Sequence, residues 1–328
     1  MRAIQITQTG GADVLQLREL PTPTPGPGEA LVHLEAAGVN FIDVYFREGR
    51  YPAPLPFIPG QEAAGIVTAV GPNSAGDSSV AEFKPGDRVA WCGVPGTYAE
   101  FAIAPLDRLV AIPDGVTPQQ AAAAMLQGMT AHYLSHSTYA IQSGDAVLVH
   151  AGAGGVGLLL IQMAKRLGAR VFTTVSTDEK AALARAAGAD EVILYTREDF
   201  SARVRKLTGG AGVRVVYDSV GKTTFEGSLA SLRPRGLLAL FGGSSGAVPP
   251  FDLIQLSTRG SLFVTRPTLK DYIASRDRLL RRAGDVLGWV ADGTLKLRIE
   301  HTYPLAAADD AHRDLEARKT TGKVLLIP

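Results

Sequence analysis

Residues 145–168, DAVLVHAGAGGVGLLLIQMAKRLG, set a strand, a glycine turn and an amphipathic helix in immediate succession, an arrangement suited to holding a pyrophosphate. The turn Ala151-Gly152-Ala153-Gly154-Gly155-Val156-Gly157 fits A-x-x-G-x-x-G, with alanine where glycine is commoner. Small residues there permit a tight turn, close approach of backbone to phosphate, and close packing of helix on strand. The helix, marked by Leu158, Ile161, Gln162 and Lys165, aims unpaired N–H groups and a positive dipole end at the anion. Gly154, Gly155 and Val156 are thus candidates to cradle a dinucleotide. The next apolar run, Arg170–Val175, discriminates between cofactors, because an NAD site follows it with Asp or Glu for the ribose 2′-hydroxyl. This chain has Ser176 and Thr177 there, with Lys180 one helical turn on. A 2′-phosphate meets no repelling carboxylate at that point, and Lys180 can act as its point-charge partner. NADPH is the expected cofactor.

Other chemically suggestive groupings carry less. Gly242-Gly243-Ser244-Ser245-Gly246 matches G-x-S-x-G, but Ala247-Val248-Pro249-Pro250 follows where a nucleophile elbow needs a helix, so these glycines are expected to let a loop approach the cofactor. His132 and His136 have i, i+4 spacing, yet no Glu follows His132 as a zinc protease requires, and a structural pair is expected. Cys92, the single cysteine, reads as a small buried hydrophobe. It also excludes an intramolecular disulfide framework and any multi-cysteine structural zinc site, which makes a reducing, cytoplasmic setting the simplest expectation.

The elements that must position these residues follow from periodicity. Between Asp145 and Phe241 apolar runs alternate with helical stretches, the pattern of a doubly wound parallel sheet. Before it, Met1–Ile6, Ala30–Leu34, Gly65–Val70 and Arg88–Ala90 read as strands, with the proline-rich 21–28 as a stiff surface crossing and helices over 118–136. After it come a helix over Tyr272–Ala291 and a final strand in 323–328 that could pair with the first domain. Length 328 suggests two domains, and the formal net charge of +1 gives no electrostatic case for nucleic acid or an anionic membrane. Residues 146–164 lack Asp, Glu, Lys and Arg, but four glycines among them argue against a membrane span, and the N-terminus has no signal-peptide core.

Four segments carry a resemblance to a known family: Ala37-Gly38-Val39-Asn40-Phe41-Ile42-Asp43, Pro59-Gly60-Gln61-Glu62-Ala63-Ala64-Gly65, Lys84-Pro85-Gly86-Asp87-Arg88-Val89 and Ala151–Gly157. In this order they resemble the zinc-free, ζ-crystallin-like quinone oxidoreductases of the medium-chain dehydrogenase/reductase superfamily, over essentially the whole chain. The resemblance implies a GroES-like, mostly β catalytic domain from residues 1–125 and 266–328, with a Rossmann NADPH-binding domain of residues 126–265 inserted in it. Zinc-dependent relatives carry cysteine and histidine ligands where this chain has Asn40 and Gln61, so no catalytic zinc is expected. The hydride acceptor must then delocalise its own charge, as quinones and conjugated enones do.

The resemblance further assigns Asn40 and Thr130 to the nicotinamide, Gly154-Gly155-Val156 to the pyrophosphate, and Ser176, Lys180, Tyr195 and Arg318 to the adenosine 2′-phosphate. It lines the cleft between domains with Phe241, Gly242, Gly243, Val264 and Arg266, and sets Tyr45 and Tyr51 at the quinone entrance. Read from the residues alone, the alternatives are that Tyr195 is a strand-end aromatic, Arg318 a helix residue paired with Glu316, and the two tyrosines packing. No side chain is an obvious proton donor; water, Asn40 or a tyrosine remain open. The implied activity is metal-free hydride transfer from NADPH to a quinone, with alkenal or enone C=C reduction as the alternative. A ζ-crystallin-like NADPH-binding structural or RNA-binding role is the reading from another class, and near-neutral charge argues against RNA. A homodimer is implied, joined at Rossmann sheet edges, with Leu237–Phe241 and Leu262-Phe263-Val264 as the candidate edge.

Overall fold

Val147, Leu148 and Val149 are fully buried, which is what an uninterrupted apolar run achieves in a strand covered on both faces. In the computed structural model, which describes residues 1–72 and 83–328, this strand is the centre of a six-stranded sheet. The strand order is Glu191–Leu194, Arg170–Val175, Ala146–Val149, Val213–Asp218, Leu232–Leu240, Phe263–Thr265, and every pairing is parallel. Helices Gly155–Arg166, Asp178–Ala186, Phe200–Leu207 and Phe225–Ser231 make the crossovers. This is the doubly wound order whose direction reverses beside the first strand, so ligand-binding loops gather at the carboxyl ends of the strands. Leu148, Phe172, Val216 and Leu238 anchor one packed layer of its core.

The chain divides into two compact units, residues 1–129 with 273–328, and residues 130–272. These junctions differ from those expected at 125/126 and 265/266 for identifiable reasons. Helix Pro118–Tyr133 runs through the first without a break. At the second, Tyr272 stacks on Tyr133 with ring centroids 4.2 Å apart and accepts a hydrogen bond of 2.8 Å from Thr138, which keeps residues 266–272 with the sheet.

The other unit is built on the long strand Glu29–Val39, which pairs antiparallel with Glu62–Val70, Phe101–Pro105 and Lys323–Ile327. Its sheet has seven strands and includes Ile299–Pro304, parallel to the last strand of the chain. The register Val324↔Val39, Leu325↔Gly38 sets Lys323 beside Asn40. The helix expected over Tyr272–Ala291 runs from Arg276 to Ala291, because the Ser275 side chain caps it by accepting from the Arg278 N–H, and Tyr272 instead ends the short helix Leu269–Tyr272.

Candidate dinucleotide and hydride-transfer site

The strand Ala146–Val149 gives way to His150 and then Ala151, whose φ of 53° lies in the left-handed region. A Cβ at Gly157 would overlap the Ala151 carbonyl, so the close approach of helix to strand requires glycine there. The helix Gly155–Arg166 begins at Gly154 with no side-chain cap, leaving its first N–H groups for an anion. A side-chain-free cradle with an uncapped helix end fits a dinucleotide pyrophosphate.

Sequence reading missed the group that holds this turn from behind. Asp218 Oδ2 accepts from Ser228 Oγ at 2.8 Å, Ser228 Oγ lies 3.0 Å from His150 Nε2, and His150 Nδ1 lies 2.8 Å from Thr174 Oγ1. Because the serine donates to the carboxylate, His150 Nε2–H donates to the serine and Nδ1 accepts from the threonine. Burial depresses the imidazole pKa and keeps the ring neutral. Asp218 also accepts from Thr224 and from the N–H groups of Val220 and Gly221, so the ends of strands Ala146–Val149, Arg170–Val175 and Val213–Asp218 are tied together. Polar residues directly after apolar runs, His150 and Asp218, were the available signal.

Of the 2′-phosphate candidates, Ser176, Lys180 and Tyr195 lie at neighbouring strand ends. Tyr195 N–H donates to Val175 O at 3.2 Å, which puts Tyr195 beside Ser176, and Lys180 lies in the first turn of the helix that Thr177 caps. Arg318 stands in the other unit, just after helix Ala308–Glu316, with φ of 59°. Glu316 of that helix pairs with Arg47 at 2.8 Å. Phe241, Gly242 and Gly243 follow strand Leu232–Leu240, and Val264 lies in the parallel strand Phe263–Thr265 with Arg266 just after it; Arg266 donates to Leu240 O at 3.0 Å. Phe241, Gly242, Gly243 and Arg266 thus lie at the carboxyl ends of their strands. Thr130 is buried in helix Pro118–Tyr133. The run 242–246 leads into irregular chain and not directly into the helix an esterase elbow needs; the next helix is Ile254–Thr258.

Asn40 is the N-terminal cap residue of helix Phe41–Arg47 and is 5 % exposed. Its Nδ2 donates to Glu62 Oε2 at 3.0 Å and to Gly38 O at 3.3 Å; its Oδ1 accepts from Lys323 Nζ at 3.0 Å and Gln127 Nε2 at 3.2 Å. Both amide protons and both lone pairs are used within the protein, which removes Asn40 as proton donor. Lys323 forms a buried ion pair with Glu62, whose other oxygen accepts the Leu126 N–H at 2.5 Å. A Cβ at Gly38 would overlap the Glu62 carboxylate, so that glycine makes room for the pair. A metal does not fit this donor set. The amide is spent on neighbours, and an ammonium already compensates the carboxylate.

Close by, Asp43 accepts from Asn40 N–H at 2.8 Å and Tyr98 OH at 3.2 Å, and Tyr98 reaches His312 Nε2 at 3.0 Å. Burial drives the Asp43 carboxyl up to about 7, and burial with the Arg47 charge drives His312 down to about 3. Tyr45 is buried and Tyr51 is 37 % exposed; their rings meet edge to face at 5.5 Å. Cys92 is buried and its thiol pKa is pushed up by burial, the environment of an inert thiol. The His132 and His136 rings stack at 4.3 Å, and among the described residues no group of three or more metal-ligating side chains occurs.

Residues 26–114 match the alcohol dehydrogenase GroES-like domain family and residues 155–277 the zinc-binding dehydrogenase family. The chain is 46 % identical to a quinone oxidoreductase of Pseudomonas aeruginosa over 329 aligned positions, covering 100 % of this chain and 99 % of that one. It is 41 % identical to a 2-haloacrylate reductase of a Burkholderia species, covering 99 % of this chain and 98 % of that one. The crystal structure of Escherichia coli quinone oxidoreductase complexed with NADPH superposes with a TM-score of 0.96 at 44 % identity, covering 100 % of both chains.

Proposed function

We propose that this chain, which belongs to the quinone oxidoreductase family of the medium-chain dehydrogenase/reductase superfamily, is an NADPH:quinone reductase that works without a metal. The observation that carries the acceptor class is the Lys323–Glu62–Asn40 cluster, which leaves no ligand set for a Lewis acid. An acceptor reduced here must stabilise the charge that hydride brings, and a quinone does so through its conjugated ring. NADPH, when bound, supplies the hydride.

The residues divide the work as follows. Gly155 and Val156 would hold the pyrophosphate with backbone N–H groups, and Gly154, whose own N–H donates to Ala151 O, would let it approach the turn closely. Ser176, Lys180 and Tyr195, with Arg318, would receive the 2′-phosphate. Thr130, Phe241, Gly242, Gly243, Val264 and Arg266 would bound the nicotinamide side. Asn40, held on four hydrogen bonds, would serve as a rigid wall, and Tyr45 and Tyr51 would orient the acceptor. Catalysis then rests on positioning, and the proton comes from water or a tyrosine hydroxyl. A cytoplasmic homodimer is part of this reading. The edge strand Phe263–Thr265 supports it, with Phe263 58 % and Val264 38 % exposed.

Likeness to the 2-haloacrylate reductase favours one second reading, reduction of a C=C bond conjugated to a carbonyl. NADPH oxidation measured in parallel with 1,4-benzoquinone, 9,10-phenanthrenequinone and an alkenal separates the two. Faster turnover of the quinones is expected; preference for the alkenal selects the second reading, and tight NADPH binding without turnover of any acceptor removes both.

A further inference from the structure

Two pins join the loops that follow strands Arg170–Val175 and Glu191–Leu194. Thr196 Oγ1 donates to Ser176 O at 3.0 Å, and Arg197 forks onto Asp178, with Nη1 to Oδ1 at 3.2 Å and Nη2 to Oδ2 at 2.6 Å. Asp178 opens helix Asp178–Ala186, two residues beyond Ser176. Two carboxylates, Asp178 and Glu179, therefore follow the strand end that chooses between cofactors, and a guanidinium binds the first of them.

We propose that Arg197 is a specificity-determining residue. By holding Asp178 in a two-pronged ion pair, it cancels the Asp178 charge, which would otherwise add to that of Glu179 in opposing a 2′-phosphate beside Ser176 and Lys180. The inference rests on the NADPH reading above. Both partners are more than 60 % exposed, so the pair adds little to folding stability. Its effect on a neighbouring anion is another matter. Residues two apart have Cα atoms no more than ~7 Å from each other, within one Debye length at physiological salt. Arg197 acts through Asp178, because the two guanidinium nitrogens at the fork are both engaged there.

The test compares binding of 2′,5′-ADP and 5′-AMP by calorimetry, in low and high salt, for wild type, Arg197→Met, Asp178→Asn and the double variant. Wild type should prefer 2′,5′-ADP. Arg197→Met should lose about tenfold of that preference at low salt and less at high salt. The double variant should recover it, and Asp178→Asn alone should keep it. An unchanged preference in Arg197→Met overturns the inference, as does an equal loss in Arg197→Met and the double variant, which would mean direct contact of Arg197 with phosphate. A wild type that does not distinguish the two nucleotides overturns the NADPH reading itself and the inference with it.

Discussion

Lys323, the first residue of the last strand, places its ammonium 3.0 Å from Asn40 Oδ1 and in a buried ion pair with Glu62. Asn40 and Glu62 are thereby fixed by a side chain more than 250 positions away in the sequence. Removing one partner leaves a buried uncompensated charge, a loss of ~3–5 kcal/mol. Lys323→Met should destabilise by that order in urea unfolding, and adding Glu62→Gln should recover most of it. Equal stability of the single and double variants would contradict the pairing.

Gly38 borders the same pair, and a methyl group there displaces the Glu62 carboxylate. Gly38→Ala should therefore cost ~2 kcal/mol or more by overpacking. Its cost should shrink in a Glu62→Ala background, read as coupling in a double-mutant cycle.

His312 and Asp43 are linked through Tyr98 and pull stability in opposite directions with pH. His312 falls from 6.5 to about 3 on folding, so the unfolded chain takes up the proton first and stability is lost as pH drops below 6.5. Asp43 rises from 3.8 to about 7, so its contribution is present below 3.8 and is lost as pH rises through 7. Each effect is worth ~2 kcal/mol between pH 7 and pH 5. Urea unfolding of His312→Gln should show stability increasing on acidification over that range, and Asp43→Asn should show it decreasing. Parallel profiles for the two variants would refute the opposition.

The apolar edge at Phe263 predicts a second subunit. Phe263→Glu should convert a dimer to a monomer in sedimentation while leaving the unfolding midpoint of the monomer near that of wild type. A wild type that sediments as a monomer would exclude the edge as an interface.

Local features were the legible ones. The glycine turn, the alternation from Asp145 to Phe241 and the missing helix after Gly246 are each contained in short windows, and the fold reproduces them. The Lys323–Asn40–Glu62 cluster was not legible, since Lys323 and Asn40 are 283 positions apart and a lysine opening a strand reads as solvated. The break before Arg276 was readable in principle. Ser275 followed by Asp277 is a cap with an acidic first turn, but the apolar spacing on either side hid it. The Asp178–Arg197 pair was not legible, because its partners are 19 positions apart on neighbouring strand-end loops.

Metal-free hydride transfer is most directly tested by NADPH oxidation with 1,4-benzoquinone on protein dialysed against a strong chelator, with metal content determined on the same sample. Full turnover without stoichiometric metal is the predicted result. Activity lost on chelation and restored by zinc would contradict it.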